Sequence, residues 1–478
     1  MGAGVSGLGA GLALGRRGHQ VTIVERDDTP LPASADDAFD WDRRGAPQVR
    51  HSHAFLARLR NLLRDHHPDV LAALLAAGAT ELRFGQDLPP TITNFVTEHG
   101  DDDLVMLACR RTTFEWVLRR AVLAEPTVEV RTGVAVDGFV ADAGAGGTPP
   151  TVRGVRLAGG GSIDADLVVC ATGRRAALND WVKELTDVEL HEDVDDTGIV
   201  YFSRFYRLND GASMPPRSGL IGGDLGYLKY GVFIGDNRTF SITLATPTDD
   251  DVLRRVVDDE ENFERVAGAM TVSAEYVDGR ATPLTGVHKM AGLVNRWCNW
   301  VGDGVPALIG VHPVGDALVC TNPLYGRGCS TGFWHAHLLA EAIDAHPGDP
   351  VAQALAHDAA TRAHIRPWYK ASVAQDTEAR RVAAAILAGD NPDGDAADGR
   401  AFMRGVFREG LLPALRLDAV VLRAFVRSLN LLSAPDALIA DADVGARVLA
   451  VWQDRDNRPP EPALGPGRDE MLALVGAA

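Results

Sequence analysis

The feature that most constrains this 478-residue chain stands at its beginning, where three glycines have the spacing Gly2-x-Gly4-x-x-Gly7. Small residues predict a helix directly after these glycines, and residues 20–25 (QVTIVE) predict a short buried strand that ends in Glu25. A glycine turn, a helix N-terminus that attracts phosphates and a ribose-binding acid about 20 residues later are typical of a dinucleotide site. The sequence therefore predicts an α/β, Rossmann-like domain in which the three glycines and Glu25 bind a dinucleotide.

A unit of this kind normally begins with a buried strand that runs into the first glycine, and only Met1 precedes Gly2 in this sequence. The first strand is therefore apparently missing. Either the natural start lies upstream of Met1, or the fold lacks its central strand, unless another segment such as 166–170 fills the position. Strands of parallel sheets are near-continuous runs of Val and Ile, so we expect the loss of one to weaken both stability and cofactor binding.

The rest of the chain changes character twice, which predicts three structural units. Aromatic residues recur at alternating positions over 198–246, a pattern typical of antiparallel strands. The strand–turn–helix pattern then returns, and the last part of the chain carries Ala and Leu at helical spacing. We therefore expect a discontinuous dinucleotide-binding domain of residues 1–190 and 285–345, an inserted antiparallel β-sheet domain of residues 191–284, and a C-terminal helical region of residues 346–478.

Two helices are predicted within the first domain. Residues 52–77 carry Leu and Ala at helical spacing, and Gly78 is the expected C-cap. A second helix is predicted over 111–124, with Thr112 or Thr113 as its N-cap.

Composition and charge narrow the possible functions. Acidic residues exceed basic ones and give a net charge of −18, which argues against a nucleic-acid partner because phosphate contacts require clustered Lys and Arg. The sequence contains no apolar run long enough to span a membrane. The five cysteines include no Cys-x-x-Cys pair, so neither a disulfide framework nor a zinc site is expected. Together with the lack of a visible signal peptide, these features predict a cytoplasmic protein.

Two further segments have the composition of backbone that approaches a bound dinucleotide. The run Asp166–Gly173 (DLVVCATG) predicts a buried strand that enters a turn of small residues. The run Gly310–Gly328 (GVHPVGDALVCTNPLYGRG) contains the pair Gly315-Asp316 and is followed by a predicted helix.

The order of these motifs resembles the superfamily of FAD-dependent aromatic hydroxylases. The shared features are the glycine motif with its acid, a helix led by Arg111, the DLVVxATG strand and turn, and the Gly-Asp pair followed by NPxxGxG. The chain is similar in particular to the branch of 2-polyprenyl-6-methoxyphenol-hydroxylase-like or epoxidase-like oxidoreductases, over residues 2–345. By this resemblance the first domain binds FAD, and the inserted sheet binds the substrate.

The resemblance also implies cofactor contacts for particular residues. It implies that Asp316 hydrogen-bonds the ribityl chain of FAD and that Arg111 reaches the FAD ribose or phosphate, although the sequence alone does not separate Arg111 from Arg110. Backbone N–H groups of residues 323–328 would lie against the pyrimidine edge of the flavin, where the N-terminus of the next helix favours negative charge. The expected cofactor-binding residues are Gly2, Gly4, Gly7, Glu25, Arg26, Arg111, Gly173, Gly315, Asp316, Pro323, Gly326 and Gly328.

The segment 44–53 (RGAPQVRHSH) is the candidate active-site loop. Similar Pro-Gln and His-x-His stretches occur in the same branch, and the resemblance implies that the loop lies beside the flavin ring system. Gln48, His51 and His53 are therefore candidate active-site residues, and a structural role for the two histidines is the alternative. No third ligand stands at a supporting spacing, so no metal is expected.

The resemblance implies a monooxygenase that uses NAD(P)H and O2 to hydroxylate or epoxidise an apolar, aromatic or alkene small molecule, in secondary metabolism. Because the cofactor supplies the chemistry, no catalytic acid or base is expected to stand out in the sequence. Two alternatives are a flavin-dependent reductase of prenyl double bonds and a non-catalytic or truncated FAD-binding protein.

Flavin halogenases share related motifs, but their Trp-x-Trp-x-Ile-Pro box is absent from this sequence. The nearest match, Trp297-Cys-Asn-Trp300, has the wrong spacing, and the residues around Lys289 do not resemble those of a halogenase lysine. The sequence therefore favours a surface position for Lys289.

Overall fold

The structure is a computed structural model that describes residues 1–93, 95–144, 147–216, 221–393, 399–458 and 463–477. Its strands are β1 Val21–Glu25, β2 Thr80–Arg83, β3 Val105–Ala108, β4 Val128–Thr132, β5 Val136–Asp142, β6 Thr151–Leu157, β7 Ser162–Asp164, β8 Val168–Cys170, β9 Glu192–Asp196, β10 Ile199–Leu208, β11 Gly222–Asp224, β12 Lys229–Ile234, β13 Thr239–Pro247, β14 Ala281–Pro283, β15 His288–Met290, β16 Val294–Cys298, β17 Val301–Gly302, β18 Val305–Pro306, β19 Val311–Pro313 and β20 Val319–Cys320.

Its helices are α1 Val5–Gly15, α2 Ala57–His66, α3 Pro68–Ala76, α4 Arg111–Ala124, α5 Leu178–Leu185, α6 Asp251–Asp258, α7 Glu260–Ala269, α8 Gly328–Ala345, α9 Pro350–His364, α10 Arg366–Ala388, α11 Gly399–Gly405, α12 Leu412–Leu417, α13 Ala419–Leu429, α14 Ala437–Ala440, α15 Ala442–Gln453 and α16 Arg468–Leu474.

The predicted dinucleotide unit is formed by α1 and the parallel pair β1–β4, in which Val21 lies opposite Val128. Small residues let α1 pack directly on this pair. A Cβ added at Gly11 would lie 2.6 Å from Ile23, and one at Gly15 would lie 2.6 Å from Val128. The glycines after the motif therefore bring the helix close to the strands, and α4 and α8 cover its other sides.

Met1 and Gly2 bridge the space between β1 and β8. The Met1 amino group donates to the Val169 carbonyl at 2.8 Å, and the Gly2 N–H donates to the Val24 carbonyl at 2.8 Å. On their other edges β1 pairs with β4 and β8 pairs with β19, both in parallel.

Beyond these two residues, the facing edges of β1 and β8 border a groove of about 620 Å³. Its walls are somewhat more apolar than polar and include Ile23, Leu167, Val169 and Ile343. No strand among the described residues pairs with these two edges. The segment suggested to fill the position, around 166–170, forms one wall of the groove as β8.

A second sheet is formed by the part of the chain that lies, in sequence, between the two segments of the first domain. It is antiparallel, with the order β11-β12-β13-β10-β14, and β15 also pairs with β10. Phe202, Tyr206 and Phe240 are buried in its core, against α6 and α7. Met471 and Leu472 of α16 join the same core, so the end of the chain packs on this sheet rather than on the other C-terminal helices.

Two strands near the ends of the antiparallel sheet differ in their pairing. Strand β9 does not join the antiparallel sheet but pairs with β16, which in turn pairs with β20, close to the Gly-Asp pair. Strand β15, at residues 288–290, does belong to the antiparallel sheet. The antiparallel sheet thus extends from β10 at Ile199 to β15 at Met290.

The long C-terminal helices pack on the first domain. Asp376 of α10 accepts hydrogen bonds from Asn295, Asn322 and Tyr325, which lie on β16 and next to β20. Among the residues whose positions are described, no helix is both long and apolar enough to cross a membrane.

Two details of the predicted helices were wrong. Residues 52–77 do not form one helix, because Pro68 starts α3 directly after α2 has ended. Helix α4 covers the predicted range, but its N-cap is Arg110, and both Thr112 and Thr113 lie inside the helix and are buried.

Candidate functional site

The glycine turn is built so that backbone faces an open cleft. Gly2 has a φ of +87°, in the region that favours glycine. A Cβ added at Gly7 would lie 2.0 Å from the Gly2 carbonyl oxygen, whereas one added at Gly4 would meet no atom within 4 Å. Gly7 is therefore required for packing, and Gly4 leaves room for a ligand at the N-terminus of α1.

Glu25 lies at the end of β1 beside this turn. Its Oε2 accepts a hydrogen bond from the Ala3 N–H at 2.7 Å, and its Oε1 accepts one from the Asp27 N–H at 3.0 Å. The Glu25 carboxylate thus fixes the turn and still borders the cleft, as Arg26 does.

The first cleft has a volume of about 330 Å³ and a surface that is polar and apolar in nearly equal parts. It runs from the glycine turn along the end of β1 to the turn that follows β8. Of the expected cofactor residues, those that line it are Gly2, Gly4, Glu25, Arg26, Arg111, Gly173 and Asp316.

A second cleft of about 130 Å³ continues from the first. The two share Gly4, Gln48, Arg111, Gly173 and Asp316, so they form one elongated space. The segment after β20 closes its far end with Pro323, Gly326 and Gly328. Because α8 begins at Gly328, its unpaired N–H groups and positive dipole end lie at this part of the cleft.

Asp316 lies where the two clefts meet. None of the described residues hydrogen-bonds its carboxylate. Burial raises the pKa of Asp316, while Arg174 and Arg111 act in the opposite direction. The carboxylate is therefore a hydrogen-bond acceptor directed at the shared cleft. Gly315 does not line either cleft, and its N–H is bonded to His335.

The structure separates the two candidate arginines. Arg111 lines both clefts and donates to Glu115 Oε1 at 2.7 Å and to His53 Nε2 at 3.0 Å. Arg110 points the other way and forms a buried ion pair with Asp236, which follows β12 in the antiparallel sheet. Arg111 thus faces the candidate site, and Arg110 joins the two domains.

The candidate active-site loop brings two of its three residues to the cleft. Gln48 lines both clefts and His53 lines the second. His53 donates from Nδ1 to the His51 carbonyl at 2.9 Å, which leaves Nε2 to accept from Arg111. Burial, with Arg111 as the next cause, holds the pKa of His53 well below its usual value.

His51 lies behind the cleft. Its ring packs edge-on against Tyr201 with 4.7 Å between centroids, and Nδ1 lies 3.1 Å from Ser203 Oγ on β10. Burial lowers the pKa of His51 to about 3, so the ring is neutral at physiological pH. His51 therefore anchors the loop to the antiparallel sheet.

Three charged residues of the site were not identified from the sequence. Arg174, next to Gly173, lines both clefts. Arg43 donates to the Ala3 carbonyl at 3.1 Å and forms an ion pair with Glu115 at 3.0 Å, so it supports the glycine turn from behind. Arg174 could have been identified from its position directly after the DLVVxATG turn. Arg43 and Glu115 are far apart in sequence and come into contact only in the folded protein, so the sequence contains no local signal for them.

A third cavity of about 400 Å³ opens beside the second cleft, between the antiparallel sheet and α13. It shares Ser52, Tyr201, Pro323 and Gly326 with that cleft. Its surface is mostly apolar and includes Tyr230, Phe233, Leu324, Phe425 and Leu429. The arrangement places an apolar cavity next to the end of the elongated cleft.

The described residues fit a dinucleotide with an attached ring system. The first cleft offers free backbone at Gly4, a helix N-terminus and basic side chains for a pyrophosphate. Asp316 offers a hydrogen-bond acceptor where the two clefts meet, and the start of α8 offers N–H groups at the far end of the second cleft. In the described parts of the chain, no group of three or more His, Cys, Asp or Glu could hold a metal ion.

The chain shares its fold with solved FAD-dependent monooxygenases, and the mixed helix and sheet architecture expected from the motifs is confirmed. One similar structure is PqsL, a probable FAD-dependent monooxygenase from Pseudomonas aeruginosa, with 16% identity, a TM-score of 0.54, and coverage of 80% of this chain and 94% of that one. The flavin-dependent brominase Bmp2 has 15% identity, a TM-score of 0.58 and coverage of 96% and 98%. OxyS, an anhydrotetracycline hydroxylase from Streptomyces rimosus, has 18% identity, a TM-score of 0.55 and coverage of 91% and 75%.

In sequence, the chain is similar to protein Rv3254 of Mycobacterium tuberculosis (strain ATCC 25618 / H37Rv). The two are 27% identical over 370 residues, which cover 72% of each chain. No family model matches the sequence.

Proposed function

We propose that this chain is an FAD-dependent monooxygenase that uses NAD(P)H and O2 to hydroxylate or epoxidise an apolar small molecule. The observation that carries the proposal is the continuous cleft that joins the glycine turn, Asp316 and the start of α8. The chemistry that FAD supplies when bound is the transfer of electrons from NAD(P)H to O2, with insertion of one oxygen atom into the substrate.

The residues of the cleft would hold the two halves of the cofactor in different ways. Gly2 and Gly4 at the start of α1 would bind the pyrophosphate, and Glu25 would accept from the ribose. Asp316 would accept hydrogen bonds from the ribityl hydroxyls. The N-terminus of α8 at Gly328 would stabilise negative charge on the ring edge nearest to it.

Arg111 and His53 would fix the active-site loop against the cofactor. The guanidinium of Arg111 donates to His53, and the buried carboxylate of Glu115 holds Arg111 in place. Because burial keeps His53 neutral, its imidazole adds no positive charge beside the ring. We assign His53 a positioning role rather than a proton-transfer role.

The apolar cavity supports an aromatic ring or alkene as the group that reacts. Its walls include the apolar side chains of Tyr230, Phe233, Leu324 and Phe425, and burying them with an apolar ligand is favourable. The hydroxyl of Ser52 stands at the junction with the second cleft, 2.7 Å from Thr243 Oγ1, and can orient one polar group of the substrate.

A halogenase function is disfavoured by the position of Lys289, although one similar structure is a flavin-dependent brominase. Successive side chains of a strand point to opposite faces, and Met290, the next residue of β15, is the one that lines the second cleft. The Lys289 ammonium instead pairs with Asp258 at 2.9 Å on the surface.

The proposal is tested with purified protein. We expect a flavin absorbance spectrum after incubation with FAD, and NAD(P)H oxidation that consumes O2 and is stimulated by aromatic or alkene substrates. Substrate-dependent NAD(P)H oxidation without O2 uptake would instead indicate the double-bond reductase, and failure to bind FAD would indicate a non-catalytic chain. As a control, Lys289→Met should leave the rates unchanged, since Lys289 lies outside the cleft.

A further inference from the structure

A fully buried histidine lies directly behind the turn that carries Asp316. The Gly315 N–H donates to His335 Nδ1 at 3.1 Å, across twenty residues of chain. His335 belongs to the first turns of α8, the helix whose N-terminus borders the second cleft. One side chain thus connects the Gly-Asp turn to the helix at the far end of the same cleft.

The hydrogen bonds of His335 determine which nitrogen carries its proton. Because Nδ1 accepts from Gly315, the proton resides on Nε2, which lies 2.9 Å from Thr361 Oγ1. Thr361 donates its own hydroxyl proton to the His357 carbonyl at 2.7 Å, so its oxygen is free to accept from His335. Every polar atom of the His335 ring is therefore satisfied in one defined tautomer.

The surroundings keep His335 neutral and fixed. Its ring stacks on that of His357 with 4.7 Å between centroids, and His357 lies edge-on to His312 at 5.8 Å. No charged side chain of the described residues contributes to the environment of His335, whose pKa burial lowers to about 3. The acceptor at Nδ1 is thus present throughout the physiological pH range.

The turn depends on backbone contacts because its side chain has none. The Asp316 carboxylate is not hydrogen-bonded by any described residue, so its direction is set by the peptide groups on either side. His335 holds the Gly315 N–H, and Arg296 donates to the Asp316 carbonyl at 2.8 Å. Gly315 itself has a φ of +59°, and a Cβ there would lie 2.3 Å from Ser6 Oγ, so the turn is tightly enclosed.

We propose that His335 is a positioning residue that aims the Asp316 carboxylate at the cofactor by accepting the Gly315 N–H. The inference rests on the FAD binding proposed above and adds a residue that does not touch the cleft. A change at His335 would therefore affect binding of the half of the cofactor near Asp316. It would not affect binding of the half near the glycine turn.

Two substitutions distinguish positioning from simple packing. In His335→Asn the side-chain oxygen can take the place of Nδ1 and accept from Gly315, whereas in His335→Gln the side-chain amide takes the place of Nε2 and faces Thr361. We expect FAD affinity, measured by quenching of flavin fluorescence, to stay within about threefold of wild type for His335→Asn and to fall by about tenfold for His335→Gln. Affinity for ADP, which lacks the flavin half, should be unchanged in both.

The expected order of the FAD affinities of the two variants is the reverse of the order that a loss of packing alone would produce. Asn is smaller than His and leaves a cavity, so His335→Asn should have the lower melting temperature and yet the higher FAD affinity. Equal losses of FAD affinity in the two variants, equal losses for ADP and FAD, or failure of both variants to fold would overturn the inference. If wild-type protein binds ADP but not FAD, the proposed function fails instead.

Discussion

At the residue scale, Asp316 combines two properties that a ligand-binding residue has and a structural residue lacks. Its half-buried carboxylate borders the cleft, burial raises its pKa, and no described residue donates a hydrogen bond to it. Such an acceptor destabilises the ligand-free protein because its desolvation is not compensated.

Replacing Asp316 should therefore affect binding and stability in opposite ways. We expect Asp316→Ala to lower FAD affinity by about tenfold to a hundredfold, the loss of one charge-assisted hydrogen bond of roughly 1.5–3 kcal/mol. The same change should leave the melting temperature of the ligand-free protein unchanged or higher. Titration with FAD and thermal unfolding without it measure the two effects.

Asp316→Asn is the matched control, because it retains an acceptor oxygen of similar shape without the charge. Its FAD affinity should lie between those of wild type and Asp316→Ala. An Ala variant that binds FAD as tightly as wild type would contradict the ribityl contact.

The sequence can indicate candidate site residues where a residue belongs to a local motif. Gly4 and Asp316 stand in turns whose shape is set within a few residues, and both border the observed cleft. Arg43 and His335 were missed because their partners are distant in sequence: Arg43 meets Glu115, and His335 meets Gly315, only after helices and strands have packed.

At the element scale, Gly4, the N-cap of α1, and Gly7, in the first turn of that helix, have different roles. We expect Gly4→Ala to fold with near wild-type stability, because its backbone is extended and a Cβ meets no atom within 4 Å. Its FAD affinity should fall strongly, because the added methyl enters the space for the pyrophosphate. Thermal unfolding and FAD titration of the same preparation measure both.

Gly7→Ala provides the opposite result at the same turn. A Cβ there would lie 2.0 Å from the Gly2 carbonyl oxygen, so the backbone must shift, which costs about 1–3 kcal/mol. We expect a lower melting temperature in the absence of any ligand. A Gly4→Ala variant that is as unstable as Gly7→Ala would contradict this division of roles.

The groove between β1 and β8 leads to a second prediction about elements. Extending the chain before Met1 with five alternating Val and Ile residues should add a parallel strand between the two free edges. Burial of about 1.5–3 kcal/mol per side chain, reduced by the entropy of ordering the segment, should raise the melting temperature and the flavin-to-protein ratio.

An extension of equal length made of Gly and Ser tests whether any gain comes from the strand. This extension has little apolar surface and loses much conformational entropy on ordering, so it should change neither the melting temperature nor the flavin-to-protein ratio. If the apolar extension also changes neither, the groove does not accept a strand, and our account of the central strand is wrong.

Helices and strands were predictable from the sequence where the apolar periodicity and the residues that begin or end an element agree. Helix α4 has a clear apolar pattern, and its predicted range of 111–124 is the observed one. The range 52–77 was predicted as one helix because the pattern continues across Pro68, yet the proline cannot donate to the preceding turn and so starts a new helix. Strand pairing, such as that of β9 with β16, depends on contacts a hundred residues apart and left no local signal.

At the scale of the whole molecule, buried polar contacts join units that the sequence presents as separate. Arg110 pairs with Asp236 between the first domain and the antiparallel sheet. Asp376 collects hydrogen bonds from three residues around the Gly-Asp segment, and Arg423 of α13 pairs with Asp101. The C-terminal helices are therefore expected to support the site rather than to fold independently of it.

The buried histidines predict how the stability of the molecule depends on pH. Burial lowers the pKa of His51, His67 and His335 to about 3, and that of His312 and His337 to about 4. In the unfolded chain the pKa of histidine is about 6.5, so the unfolded state binds protons that the folded state does not as the pH falls below this value. Stability is therefore complete above about pH 6.5 and decreases as the pH is lowered.

Between pH 7 and pH 5 this effect precedes the titration of most carboxylates. Each fully buried histidine should lower the free energy of unfolding by about 2 kcal/mol at pH 5 relative to pH 7. We expect urea unfolding midpoints to fall steeply across this range. In His312→Leu the loss of unfolding free energy between pH 7 and pH 5 should be smaller by the contribution of one histidine. A flat profile in the wild type would mean that these histidines are protonated in the folded protein, which would contradict the neutral, hydrogen-bonded arrangement of His335 behind the Asp316 turn.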